Sequence, residues 1–198
     1  MYIYIDALMD RAGGSPAPEG AGNLLTVDSL SVRNMPPFMF TPKCVMVATS
    51  SGEVEVFDDD APEILLANLG THLESLDGIY AGWYLNQTLL PILTVNAVKY
   101  GVRVFGEQLR RLDEKWSKPV GHSIERAFLQ GWYPDCKDDD PFHLTLEYAL
   151  GLCGMPSPDE ARKSLGDGLK DTHARLLARI SSMSRIHSRY QDLVEWRG

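Results

Sequence analysis

Residues 76–102 read LDGIYAGWYLNQTLLPILTVNAVKYGV, and their pattern changes twice within one short segment. Ile79, Tyr80 and Ala81 form a brief apolar run, read as a buried strand. Gly82 then opens a turn, and from about Thr88 to Tyr100 the spacing is helical. Pro91 is compatible with that helix because it falls in the first turn, where no intrahelical N–H is required. Gly101 ends the helix, and residues 102–105 supply a further strand. Strand, turn, helix and strand in this order belong to an α/β architecture.

The flanking sequence extends the same alternation. Residues 2–5 are aromatic and β-branched, a first strand ending at Asp6. Residues 12–22, AGGSPAPEGAG, contain almost nothing to bury, so 12–36 is read as a mobile loop insertion. Residues 45–48 and 54–57 flank Ser50-Ser51-Gly52 as a β-hairpin. Asp58, Asp59 and Asp60 precede Pro62 as an acidic helix entry, favoured by the helix dipole. Leu65, Leu69, Leu73 and Leu76 then give that helix one buried stripe. The expected fold is α/β, with a mixed central sheet flanked by helices.

The C-terminal half is expected to be helical. Residues 122–130 and 144–152 read as helices, the second stopped by Gly154. Ser157-Pro158-Asp159-Glu160 is a capping box with proline at the first helical position. The last helix runs from about Leu169 to near Trp196. Its apolar stripe is Leu169, His173, Leu176, Ile180, Met183, His187 and Tyr190. Two histidines, a methionine and a tyrosine make an apolar–polar seam. His173, Leu176, Ile180, Met183, His187 and Tyr190 are therefore expected at a subunit or partner interface. Arg175, Arg179, Arg185 and Arg189 form a basic stripe beside it.

Length and composition narrow the function classes. The 198 residues suit one domain, 1–198, and 44% hydrophobic against 23% charged residues is a globular balance. Nineteen basic against 27 acidic residues give a net charge of −8, which disfavours a bare duplex-coating protein. Cys44, Cys136 and Cys153 form no CxxC pair, so neither a zinc ribbon nor a thioredoxin motif is present. No apolar run approaches the roughly 20 residues of a membrane helix, and the expected location is cytoplasmic. There is no GxGxxG, Walker-type GK[ST], HExxH or GxSxG motif.

The 76–102 stretch, with its Leu90-Pro91-x-Leu93 helix start and its Gly101-Val102 end, resembles the second exonuclease motif of the DEDD 3′–5′ exonucleases. The likeness is greatest to their family-B-polymerase-like branch. Residues 2–6 resemble the family's first strand with its metal-binding aspartate, and Leu150-Gly151-Leu152 is similar to its short Leu-Gly-(Ile/Leu) helix end. The resemblance implies a ribonuclease-H-like fold and two-metal chemistry, in which four carboxylates hold Mg²⁺ or Mn²⁺.

The catalytic pattern is degenerate. Where the family has Asp-x-Glu the chain has Asp6-Ala7-Leu8, and Leu8 cannot ligate a hard cation. Leu89 stands at the second-motif aspartate, and Trp83 and Tyr84 replace the His-Asn of the turn. His187 and Asp192 fit a His-x4-Asp third motif. On one continuous helix they lie about 140° apart around the axis, facing different ways. Asp10 is read as a surface acid beyond the strand. Arg110, Arg111, Lys115, Trp116 and Lys118 are a candidate nucleic-acid contact, with base stacking on Trp116; a solvated helix is the plainer alternative.

Three functions are therefore expected from the sequence. The first is an exonuclease-fold protein without catalysis or cofactor, a binding or regulatory subunit in DNA replication, repair or phage–host conflict. The second is a divergent active 3′–5′ exonuclease on single-stranded nucleic acid, with Asp6, His187 and Asp192 at Mg²⁺ or Mn²⁺. The third is a protein-interaction module with no nucleic acid. The net charge favours a protein partner or a second copy of the chain over free DNA.

Overall fold

The first strand decides how the layers stack. In the computed structural model, which describes residues 1–11, 24–28, 36–104, 121–125, 144–165 and 168–195, β1 (Tyr2–Arg11) is buried from Ile3 to Met9. A strand buried on both faces needs a helical layer on each side. Ile3, Ile5, Ala7 and Met9 face one core, while Tyr4 and Leu8 face the other. The strand does not end at Asp6 as expected, because Ala7, Leu8 and Met9 continue the apolar pattern. Asp10 therefore lies within the strand, half-buried near its end.

β1 sits at the centre of a mixed six-stranded sheet of order β4-β3-β1-β5-β6. β3 (Phe40–Thr49) and β4 (Val54–Phe57) form the expected hairpin and continue antiparallel from β1. β5 (Ile79–Gly82) and β6 (Gly121–Ser123) are parallel to β1. β2 (Leu25–Thr26) pairs antiparallel with Leu8 and Met9. Residues 24–28, placed in the 12–36 loop from sequence, are thus partly built into the sheet, with Val27 fully buried.

On one face lie α1 (Pro62–Ser75), burying Leu65, Leu66, Leu69 and Leu73, and α2 (Leu90–Tyr100). Gly101 ends α2 in the left-handed conformation, φ 66°, which glycine adopts without steric cost. The strand expected at 102–105 is absent from residues 102–104. Val104 buries in the helical core instead, and a Cβ on Gly70 of α1 would lie 2.0 Å from the Arg103 carbonyl oxygen. The chain rejoins the sheet at β6, so His122 is on a strand rather than in the expected helix. The other face carries α3 (Leu146–Leu152), α4 (Pro158–Lys163) and α5 (Asp171–Glu195). Ser157 closes its capping box on Glu160 as the sequence predicts. Among the described residues no helix is long and apolar enough to cross a membrane.

Candidate functional site

α5 lies on the sheet through Leu176, Ile180, Met183 and Ile186, which pack with Tyr4, Leu8, Met46 and Ala48. The stripe expected at an interface is thus this chain's own core. His187 is also buried, and His173 and Tyr190 are half-buried. The same face delivers Arg179, three positions after Leu176, to the centre of β1, where Asp6 projects between Tyr4 and Leu8.

Arg179 Nε donates to Asp6 Oδ2 at 2.6 Å, and its Nη1 lies 3.0 Å from Asp28 Oδ1. Side-chain exposures of 1%, 7% and 8% for Asp6, Asp28 and Arg179 put the whole triad out of water. Asp28 also accepts the Leu146 backbone N–H, at the first residue of α3, at 3.2 Å. One guanidinium thereby links β1, the segment after β2, and α5, while Asp28 carries the link to α3. Asp6 Oδ1 and Arg179 Nη2 have no hydrogen-bond partner among the described residues.

Burial pushes the Asp6 carboxyl upward, against the pull of the adjacent guanidinium. Burial acts the same way on Asp28, but Arg179, the Thr26 hydroxyl and the Leu146 amide outweigh it and hold that carboxyl below its ordinary value. Burial disfavours the charge on Arg179, yet Asp6 and Asp28 hold its pKa above the usual guanidinium value. The arginine is therefore cationic, and it provides the positive charge at Asp6.

The residues expected at a metal site are not brought together. Asp192 is exposed on α5, 13 positions beyond Arg179, or about 20 Å along the helix at 1.5 Å per residue. His187 lies eight positions beyond Arg179, about 12 Å along the axis. Its Nδ1 is 3.2 Å from the Tyr4 hydroxyl, and its ring stands edge-on to Tyr2 with centroids 4.7 Å apart. Burial, followed by the nearby His122, lowers its pKa to about 4. It is a neutral, hydrogen-bonded core histidine. Among the described residues no group of three or more His, Cys, Asp or Glu could hold a metal ion. Asp6, His187 and Asp192 do not fit Mg²⁺ or Mn²⁺.

The second-motif turn is also rebuilt without a ligand. Leu89 is fully buried, and Trp83 donates its indole N–H to the Leu144 carbonyl at 2.9 Å. Tyr84 takes a left-handed φ of 49°, an uncommon conformation for a bulky residue, and donates its N–H to Glu125 Oε2 at 2.7 Å. Asn86 donates its N–H to Ser123 Oγ and its side-chain amide to the Gly121 carbonyl. The turn is anchored to β6 by these bonds, and a single π-helical turn, Leu85–Leu89, leads into α2.

Among the described residues Asp28 and Glu125 are the two buried carboxylates absent from the sequence-based set; Asp28 lies in the segment read as a loop, and Glu125 in the segment read as a helix, which is helical only from Ile124. Neither position carried a local signal. The acidic run divides its work: Asp59 Oδ1 accepts the Ala61 N–H before α1, whereas Asp58 Oδ2 meets Lys170 Nζ and His173 Nε2, each at 2.8 Å. Those two hydrogen bonds hold the Asp58 carboxyl below its ordinary value. Cys44 is buried with its thiol pushed up to about 12 by burial. Arg110, Arg111, Lys115, Trp116 and Lys118 lie outside the described residues. No family model, curated protein or solved structure matches this chain.

Proposed function

We propose that this chain is a ribonuclease-H-like, exonuclease-derived protein in which an arginine has replaced metal at the first-motif aspartate, and that it works as a binding or regulatory subunit. The sheet supports the fold assignment: three strands in antiparallel succession, β1, β3 and β4, are continued on the other side of β1 by two parallel strands. The order agrees with the resemblance carried by residues 76–102.

The single observation that carries the functional reading is the Asp6–Arg179 pair. A buried carboxylate that accepts a guanidinium at 2.6 Å has its charge already matched. A divalent cation entering there would have to break the Asp6–Arg179 pair and share a water-free site with a guanidinium left to Asp28 alone, at the large cost of placing like charges together in a buried site. Leu8 and Leu89 supply no replacement ligands, and Asp192 is too far along α5 to share one. With a net charge of −8, the partner favoured is a protein rather than a free duplex.

The test is incubation of labelled single-stranded DNA with the protein and Mg²⁺ or Mn²⁺, beside an Asp6→Asn variant checked for folding by circular dichroism. No trimming by either protein is expected. Trimming by the wild type that folded Asp6→Asn lacks would overturn the proposal. A salt titration of DNA binding separates nucleic-acid from protein partners, since phosphate contacts weaken steeply with salt.

A further inference from the structure

Beside the buried triad, a cavity of about 280 Å³ opens between β2 and the starts of α3, α4 and α5. Its walls include two side chains more than nine-tenths buried, Arg179 and Asp28. Arg179 brings to it a guanidinium with one nitrogen, Nη2, unmatched among the described residues. Arg175, one turn earlier on the same face of α5, also lines the cavity. Among the described residues its guanidinium makes one long bond, 3.5 Å to the Leu24 carbonyl. Glu147 of α3 and Asp159 of α4 line it as well, neither paired with a cation among the described residues, and so does Arg162 of α4, whose guanidinium is paired with Asp171.

The charge pattern selects the occupant. A simple anion would be drawn to Arg175 but repelled by Glu147, Asp159 and the net negative triad. A simple cation would meet Arg175. A molecule carrying both an anionic group and cationic groups satisfies both kinds of side chain, and because Arg162 and Arg179 are already held in ion pairs, two acids against Arg175 favour net positive charge. The volume lies just below the roughly 300–1,000 Å³ of drug-sized ligand sites, which suits a small metabolite. We infer that this cavity is a binding site for a free basic α-amino acid of the lysine or arginine type. The carboxylate faces Arg175, where a guanidinium offers a bidentate match. The amino groups face Glu147 and Asp159. Thr26 and Thr145 line the same space with hydroxyls.

The inference stands independently of the exonuclease reading, because Arg175, Glu147 and Asp159, which would hold the ligand, play no part in that reading. Isothermal titration and thermal-shift measurements with L-lysine and L-arginine test it, beside inorganic phosphate and 1,5-diaminopentane. The expected result is saturable binding of at least one of the two amino acids, with a raised melting temperature. Arg175→Gln and Glu147→Gln should each weaken it about tenfold or more, as loss of a charge-assisted hydrogen bond does. Both side chains are at least partly exposed, so both variants should fold. Phosphate and the diamine should bind at least about tenfold more weakly. No binding of either amino acid at millimolar concentration would overturn the inference. So would binding that both variants leave unchanged, or phosphate or diamine binding as tight as that of the amino acid.

Discussion

Replacing Arg179 with methionine removes the positive charge from the buried triad while keeping an unbranched side chain of useful length. Asp6 loses its 2.6 Å donor and Asp28 its 3.0 Å partner, and both carboxylates stay out of water. Removing one partner of a buried ion pair costs about 3–5 kcal/mol. Asp28 keeps its bond from the Leu146 N–H, and Asp6 escapes part of the penalty by taking up a proton, so the lower half of that range applies. A folded domain holds only about 5–15 kcal/mol in total. For a chain of this size, about 3–4 kcal/mol corresponds to a melting temperature lowered by roughly 6–16 °C. Urea denaturation followed by circular dichroism measures the loss. Acidification should recover part of it, because a protonated carboxyl needs no cation. The triple variant Asp6→Leu, Asp28→Asn, Arg179→Met should be more stable than Arg179→Met alone, since no unpaired charge remains. A loss under about 1 kcal/mol for Arg179→Met, or a triple variant less stable than the single one, would show that Arg179 does not hold the two buried carboxylates as an ion pair.

Other parts of the fold give sharp expectations. The folded pKa of His187, about 4 against an ordinary 6.5, means the unfolded chain binds the extra proton first on acidification. Its contribution is fully present above pH 6.5 and falls away as pH drops to about 4, a change worth about 3 kcal/mol; the difference in stability between wild type and His187→Phe across that window measures it. Gly70→Ala places a methyl 2.0 Å from the Arg103 carbonyl oxygen, so thermal denaturation should show a loss of about 1–3 kcal/mol from overpacking. Ser157→Ala removes the bond to the Glu160 N–H and should cost about 1 kcal/mol, seen as faster amide exchange confined to α4.

The features legible in the sequence are those whose signal is local. The β5–turn–α2 unit, the β3–β4 hairpin, the leucine face of α1 and the Ser157 capping box each sit within a few residues of the pattern that announces them. β6 was illegible because Gly-His-Ser has no strand signature. It joins the sheet where only glycine fits, since a Cβ on Gly121 would lie 2.4 Å from the Tyr80 carbonyl oxygen. Residues 102–104 carry strand-like side chains, but these found a better burial against α1 and α2. The site was hidden by distance. Asp6 and Arg179 are 173 positions apart, and Asp28 reaches them from a segment dominated by loop composition. The sequence presented Arg179 as one member of an exposed basic stripe. Only the pitch of α5 across β1 separates it from Arg175, Arg185 and Arg189 and puts it in the core.

A guanidinium holds the charge at Asp6, and Mn²⁺ binding reads that directly. Electron paramagnetic resonance of free Mn²⁺, titrated with wild-type protein and with Asp6→Asn, counts any bound ion. With the guanidinium in place, no saturable binding to the wild type that Asp6→Asn removes is expected. Stoichiometric Mn²⁺ binding by the wild type that is lost in folded Asp6→Asn would contradict it.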